Sequence, residues 1–142
     1  MGLDMYLYAE KYESKHLWCI ENLENRREQV KGFCPEDLEE LMEYETRRGF
    51  IHKTTRYAIG YWRKFNILHD IISGNVSEDV LSCGVYLYHD DIENIIDELK
   101  LKLSFDIYDD YDIDNINYTI ELFEKCLKLI DKGYDIVYRA SW

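Results

Sequence analysis

Apolar and polar residues alternate where the chain begins. Leu3, Met5 and Leu7 stand between Asp4, Tyr6 and Tyr8, a period of two that predicts a strand over Leu3–Tyr8. His16–Ile20 fits a short strand or a helix start, and the highly charged Asn22–Lys31 reads as a solvated segment. Pro35 suits the first position of a helix, with Glu36 and Asp37 in its first turn and Leu38, Leu41 and Met42 as its stripe. Arg47–Gly49 ends it, and Phe50–Tyr57 fits an extended segment. From Ile59 the period lengthens. Tyr61, Phe65, Leu68 and Ile72 recur as one face of a helix that Gly74 and Asn75 stop. Val76–Cys83 then reads as a loop or a short helical turn.

The second half is patterned more regularly. GVYLY, Gly84–Tyr88, predicts a strand. Asp90 caps the next helix with Glu93 three residues on, and Ile92, Ile95, Ile96 and Leu99 form its apolar stripe. Ser104–Asp114 is acidic and aromatic, as a loop would be. A long helix follows with Asp114 as N-cap and Ile116, Ile120, Phe123, Leu127 and Ile130 inward. Glu121 with Lys125 and Glu124 with Lys128 are favourable pairs on its wet side. Gly133 ends it, and Tyr134–Trp142 predicts a terminal strand. Strands separated by helices, with few hairpin turns, define an α+β class: a small mixed or antiparallel sheet of about three to four strands, covered by helices on one face.

Composition narrows the function more than the fold. The chain has 142 residues, 46% hydrophobic and 15% aromatic, which suits a single globular domain, 1–142. Its 13 tyrosines bring apolar area with a hydroxyl handle, suited to core edges and to ligand pockets. The net charge of −12 repels phosphate backbones and anionic lipids, so direct nucleic-acid and membrane binding are not expected. That charge serves solubility, or makes the protein an acidic mimic seated on another protein's nucleic-acid-binding surface. No transmembrane run or signal-peptide pattern is present. Cys19, Cys34, Cys83 and Cys126 are scattered without zinc spacing and read as reduced thiols, which places the protein in a cytoplasm.

Catalytic and metal patterns are weak. Asp110, Asp112, Asp114, Asn115 and Glu121 partly match a calcium loop, but the helical apolar period begins inside it at Ile116, so a solvated acidic loop is the better reading. No Ser-His-Asp order, glycine-rich phosphate loop or HExxH motif occurs, and His89 beside Asp90 and Asp91 reads as a helix-cap environment. No catalytic residue, metal or cofactor is assigned, and a binding protein is expected rather than an enzyme.

The segment YWRKFNILH is where candidate chemistry gathers. On a helix, Trp62, Asn66 and His69 share a stripe beside the apolar one, with Arg63 one step around. An aromatic face, a planar cation and two neutral hydrogen-bonding groups suit a base or ribose with its phosphate. Arg139 and Ser141, on one side of the last strand, would face the same pocket. The plainer alternative is a buried Trp62 with Asn66 and His69 bonded to backbone, and Trp142 closing the core.

MGLDMYLY at the start, GYWRKFNILH in the middle and VYRASW at the end, with YTIE at Tyr118–Glu121, resemble a widespread family of small bacteriophage and prophage proteins. The resemblance spans the chain, weakly over Glu21–Arg48, and Ala140 stands where many members have Ser. It implies a phage protein working in the host cytoplasm and supplies no catalytic residues. Counter-defence is the context it implies. The protein would sequester a small nucleotide-like ligand, such as a host immune signal, or block a host defence protein through its acidic surface. A stoichiometric binder of this kind is expected to be a homo-oligomer.

Overall fold

The alternation at the N-terminus builds the centre of a four-stranded sheet. In the computed structural model, which describes residues 2–16, 24, 25, 28, 38, 50–74 and 76–142, strand β1 runs over Asp4–His16. Strand β2 is Phe50–Arg63, β3 is Val85–Leu87 and β4 is Asp135–Ser141. The strand order is β2-β1-β4-β3. β4 lies antiparallel to β1, with Met5 opposite Ala140 and Leu7 opposite Tyr138, and antiparallel to β3, with Leu87 opposite Ile136. The period of two therefore sends Met5, Leu7, Ala9, Ile136, Tyr138 and Ala140 to one face, and all six are buried. Asp4, Tyr6, Tyr8 and Glu10 point to the other.

Four helices are present among the described elements: α1 (Asn66–Ser73), α2 (Glu78–Cys83), α3 (His89–Leu103) and α4 (Asp110–Asp131). Their apolar stripes join the buried strand residues in one core. Leu68 and Ile72 come from α1, Leu81 from α2, Ile92, Ile95, Ile96 and Leu99 from α3, and Ile116, Phe123 and Cys126 from α4. Each large side chain buried this way contributes about 1.5–3 kcal/mol. Ile120, Leu127 and Ile130 of α4 are only partly buried against that core. α3 packs on α4, where Lys100 and Glu124 pair at 3.7 Å. The architecture is α+β with an antiparallel sheet.

The contacts divide the chain into two compact units, Met1–Lys11 with Thr55–Trp142, and Tyr12–Thr54. β1 and β2 contribute residues to both. The smaller unit holds a Lys53–Glu13 ion pair at 3.6 Å and a Tyr12–His52 ring contact at 5.9 Å. In it Glu24, Asn25, Glu28 and Leu38 are helical. The remaining expectations for 17–49 lie outside the described residues, as does the Asn75 stop.

Several boundaries depart from the sequence pattern, each for a local reason. The helix expected from Ile59 begins only at Asn66, because β2 continues to Arg63. Gly60 marks why: a Cβ there would sit 2.6 Å from Leu122 Cδ2 and 3.3 Å from Leu7 Cβ, so the strand passes tightly against α4 and β1. Lys64 turns the chain at φ 54, a left-handed conformation costing about 1–2 kcal/mol for a residue with a Cβ. Its N–H donates to the Leu3 carbonyl at 2.7 Å, which holds the turn. Phe65 and Leu68 are core as expected, but Tyr61 is 51% exposed and Trp62 is the buried neighbour. The N-cap of α3 is Tyr88, not Asp90, and the Asp91 carboxylate accepts from the Tyr88 N–H at 2.9 Å. α4 begins at Asp110 with Asp109 as its cap, so the acidic triplet Asp110, Asp112 and Asp114 is helical rather than a loop. Val76–Cys83, read as a loop or short turn, contains α2.

Candidate ligand-binding site

The six residues expected to form a site are placed in different surroundings. Trp62 is in the core: its indole N–H donates to Thr119 Oγ1 at 2.9 Å, and its ring stacks on Phe123 at 6.3 Å. Arg63 is exposed at the end of β2, and its carbonyl accepts from the Tyr111 hydroxyl at 3.2 Å. Asn66 is exposed at the first position of α1. His69 is half-buried, with Nδ1 at 2.8 Å from the Tyr138 hydroxyl and its ring edge-on to Trp142 at 5.4 Å. Burial pushes the His69 imidazole below its ordinary value, against the opposing charges of Asp70 and Glu78. A neutral ring with its proton on Nε2 accepts the Tyr138 proton at Nδ1. Arg139 donates from Nε to the Ser82 carbonyl at 2.8 Å, and Ser141 lies opposite Asp4.

Strand alternation explains the separation. Tyr138 and Ala140 face the helices, so His69 of α1 meets Tyr138; Arg139 and Ser141 face the other side, among Asp4 and Tyr6. Of the expected residues Trp62, Arg63, Asn66 and His69, His69 is the one with a side-chain bond to the terminal strand among the described residues, through Tyr138 rather than Arg139.

That other sheet face carries its own polar network. Glu10 is almost fully buried, and Arg56 Nη2 donates to its two oxygens at 3.0 and 3.4 Å. The Tyr86 hydroxyl donates to the same carboxylate at 3.2 Å. Burial first, then the Glu10 charge, raises the Tyr86 phenol above its ordinary value. The Arg56 guanidinium lies 5.0 Å above the Tyr8 ring, and Tyr6 stacks on Tyr8 and meets Tyr61. Tyr61 donates to Asp4 at 2.6 Å, and this bond raises its phenol.

A concavity lies elsewhere, between α1, β3 and α3. It encloses about 530 Å³, within the range of small-ligand pockets. Ile71, Ile72, Val76, Val85, Leu87 and Ile95 give it apolar walls. Among the described residues its rim carries Asp70, Asp91 and Glu98 and the ammonium of Lys102, with Asn94 and Tyr86 also lining it. Asp91 is committed to the cap of α3, whereas Asp70 and Glu98 make no ion pair among the described residues. Among the described residues no Ser, Cys or His lines the cavity. Sequence patterning marked Ile72, Ile95 and GVYLY as structural and gave no signal that their exposed neighbours frame one cavity.

Two further groups complete the inventory. His89, Asp90 and Glu93 bring three metal-type donor atoms within 4.8 Å, all exposed on the first turn of α3. Cys83 and Cys126 are free thiols, and burial pushes Cys126 up to about 12, which makes it inert. Among the described residues no helix is long and apolar enough to cross a membrane. No family model, curated protein or solved structure matches the chain.

Proposed function

We propose that this is a phage-encoded capture protein that holds a ligand in the α1–β3–α3 cleft without transforming it. The observation that carries the reading is the cleft itself: a volume fit for a small ligand, apolar walls, and, among the described residues, a rim of Asp70, Asp91, Glu98 and Lys102. An occupant with an apolar body and a cationic or neutral polar end matches both. An anionic nucleotide fits this rim poorly, because its phosphates would meet Asp70 and Glu98 in a partly desolvated space. A nucleotide-like ligand would instead depend on Arg63, Asn66, His69, Arg139 and Ser141 coming together through a rearrangement of α1 and β4. The resemblance of the opening, central and closing motifs to phage proteins supplies the counter-defence context. A second reading, an acidic inhibitor docked on a host defence protein, draws on the net charge of −12.

Calorimetric titration tests the first reading with arylalkyl amines beside cyclic and ADP-ribose-type nucleotides, on wild type and Asn94→Trp. Asn94 is exposed on α3, so the indole fills the cleft without disturbing the core. The amines are expected to bind wild type and to lose binding in the variant. Nucleotide binding that is insensitive to Asn94→Trp, with no response to amines, would overturn it.

A further inference from the structure

Three consecutive residues of β3, Val85, Tyr86 and Leu87, all line the same cleft. Val85 and Leu87 lie opposite Tyr138 and Ile136 and share their helix-facing side, whereas Tyr86 faces the other way and reaches Glu10, so the cleft meets β3 through its backbone as well as its side chains. A cavity that touches all three runs along the edge of the strand. β4 occupies one edge of β3, and β3 is the last strand in the order β2-β1-β4-β3. The cleft therefore runs along its free edge, where backbone N–H and C=O groups face outward without a strand partner among the described residues.

An edge of this kind, backed by apolar pockets, takes an extended peptide as an additional strand. Main-chain bonds supply affinity and alternate side chains enter the pockets. We propose that the ligand of the cleft is an extended basic segment of another protein, added antiparallel or parallel to β3 as a fifth strand. This rests on the capture reading above and names its partner. The residues of the segment that face the helices place small apolar side chains against Ile72, Val76 and Ile95, and the Lys or Arg residues between them, which start from the other face, bend their long stems round the outer edge of the new strand toward Asp70 and Glu98. A second copy of this chain is a poor occupant, since pairing two β3 edges would set these carboxylates against their equivalents on a molecule that also carries −12. The short β3 limits the number of bonds, so the contact is selected by charge as well as by backbone.

The test uses the whole protein, ¹⁵N-labelled, and an alternating Lys-Val-Arg-Val-Lys-Val peptide with blocked ends. Two further peptides are N-methylated on one or the other alternating set of amides, and a fourth replaces the basic residues by Glu. The expected result is saturable shifts of the Val85, Tyr86 and Leu87 amides with the basic peptide. N-methylation of one set only should weaken binding at least about tenfold, because only one set faces the β3 edge. The acidic peptide should not bind, and Glu98→Lys should weaken the basic one. Equal binding by both N-methylated peptides overturns strand addition. So does a cleft that binds arylalkyl amines but no peptide, an outcome that leaves the capture reading standing. Shifts of β3 amides that grow with protein concentration alone assign the edge to a second copy and overturn the proposal too.

Discussion

Thr119→Val tests whether the core places Trp62 by a hydrogen bond or by shape alone. The indole N–H is buried with its ring 2% exposed, and its acceptor Thr119 Oγ1, 2.9 Å away, belongs to a fully buried residue. Valine keeps the shape of threonine and has a similar helix propensity, so the backbone of α4 contributes little to the change. The Asn115 carbonyl, which accepts the Thr119 hydroxyl at 2.6 Å, lies one helical turn back and keeps its α-helical bond. What remains is an orphaned buried donor, which costs about 1–3 kcal/mol. With a urea m-value near 2 kcal/mol/M, the midpoint falls by about 0.5–1.5 M. Trp62→Phe removes the donor and leaves the threonine hydroxyl bonded to Asn115. In that background Thr119→Val should be nearly neutral, a coupling of about 1–2 kcal/mol in a double-mutant cycle. Far-UV circular dichroism in urea at neutral pH, with unchanged m, reads all four proteins. Equal costs for Thr119→Val in both backgrounds would refute the argument and make Trp62 a residue held by its stacking on Phe123.

Two other outcomes follow from buried polar groups. The folded state holds His69 below its ordinary 6.5, so the unfolded chain binds more protons there; the His69 contribution is intact above that value and lost as pH falls through the folded pKa, and the difference between wild type and His69→Gln unfolding curves from pH 8 to 5 measures it. Arg56→Ala leaves the Glu10 carboxylate with the Tyr86 hydroxyl as its remaining side-chain partner; the guanidinium is 39% exposed, so the loss should be about 1–3 kcal/mol rather than the larger cost of a fully buried pair, read by thermal and urea melts, with Arg56→Lys recovering part of it.

Where one face of an element is buried, the sequence displays it. Leu3, Met5 and Leu7 alternate because one side of β1 is core, and the isoleucines of α3 recur because one side of that helix is. The pattern misled at Tyr61 because a strand, a turn and a helix succeed one another within a few residues. Tyr61, Phe65 and Leu68 imitate a helical period across that junction, while the tight approach that fixes β2 depends on Gly60 meeting Leu122, far along the chain. The plainer alternative of a buried Trp62 holds, through strand alternation and not through a helical stripe beside Phe65, whereas Trp142 is 45% exposed and does not close the core.

The cleft was illegible for a deeper reason. Alternation in GVYLY identifies a strand, but no local pattern says that the strand is terminal. That property comes from β4 inserting between β1 and β3, a pairing across most of the chain. Polar residues in apolar segments drew attention to Arg63, Asn66 and His69, yet such residues are equally what a turn, a helix start and a tyrosine partner need. Asp70, Asn94 and Glu98 are exposed positions on helix faces that no local pattern sets apart. They become a rim only because α1, α3 and β3 border one cavity, so the charge that meets an incoming ligand is set by topology. A protein with a net charge of −12 then needs no special acidic motif to select a basic partner. The proposed partner would meet apolar walls in the cleft and, along the outer edge of β3, backbone groups without a strand partner among the described residues.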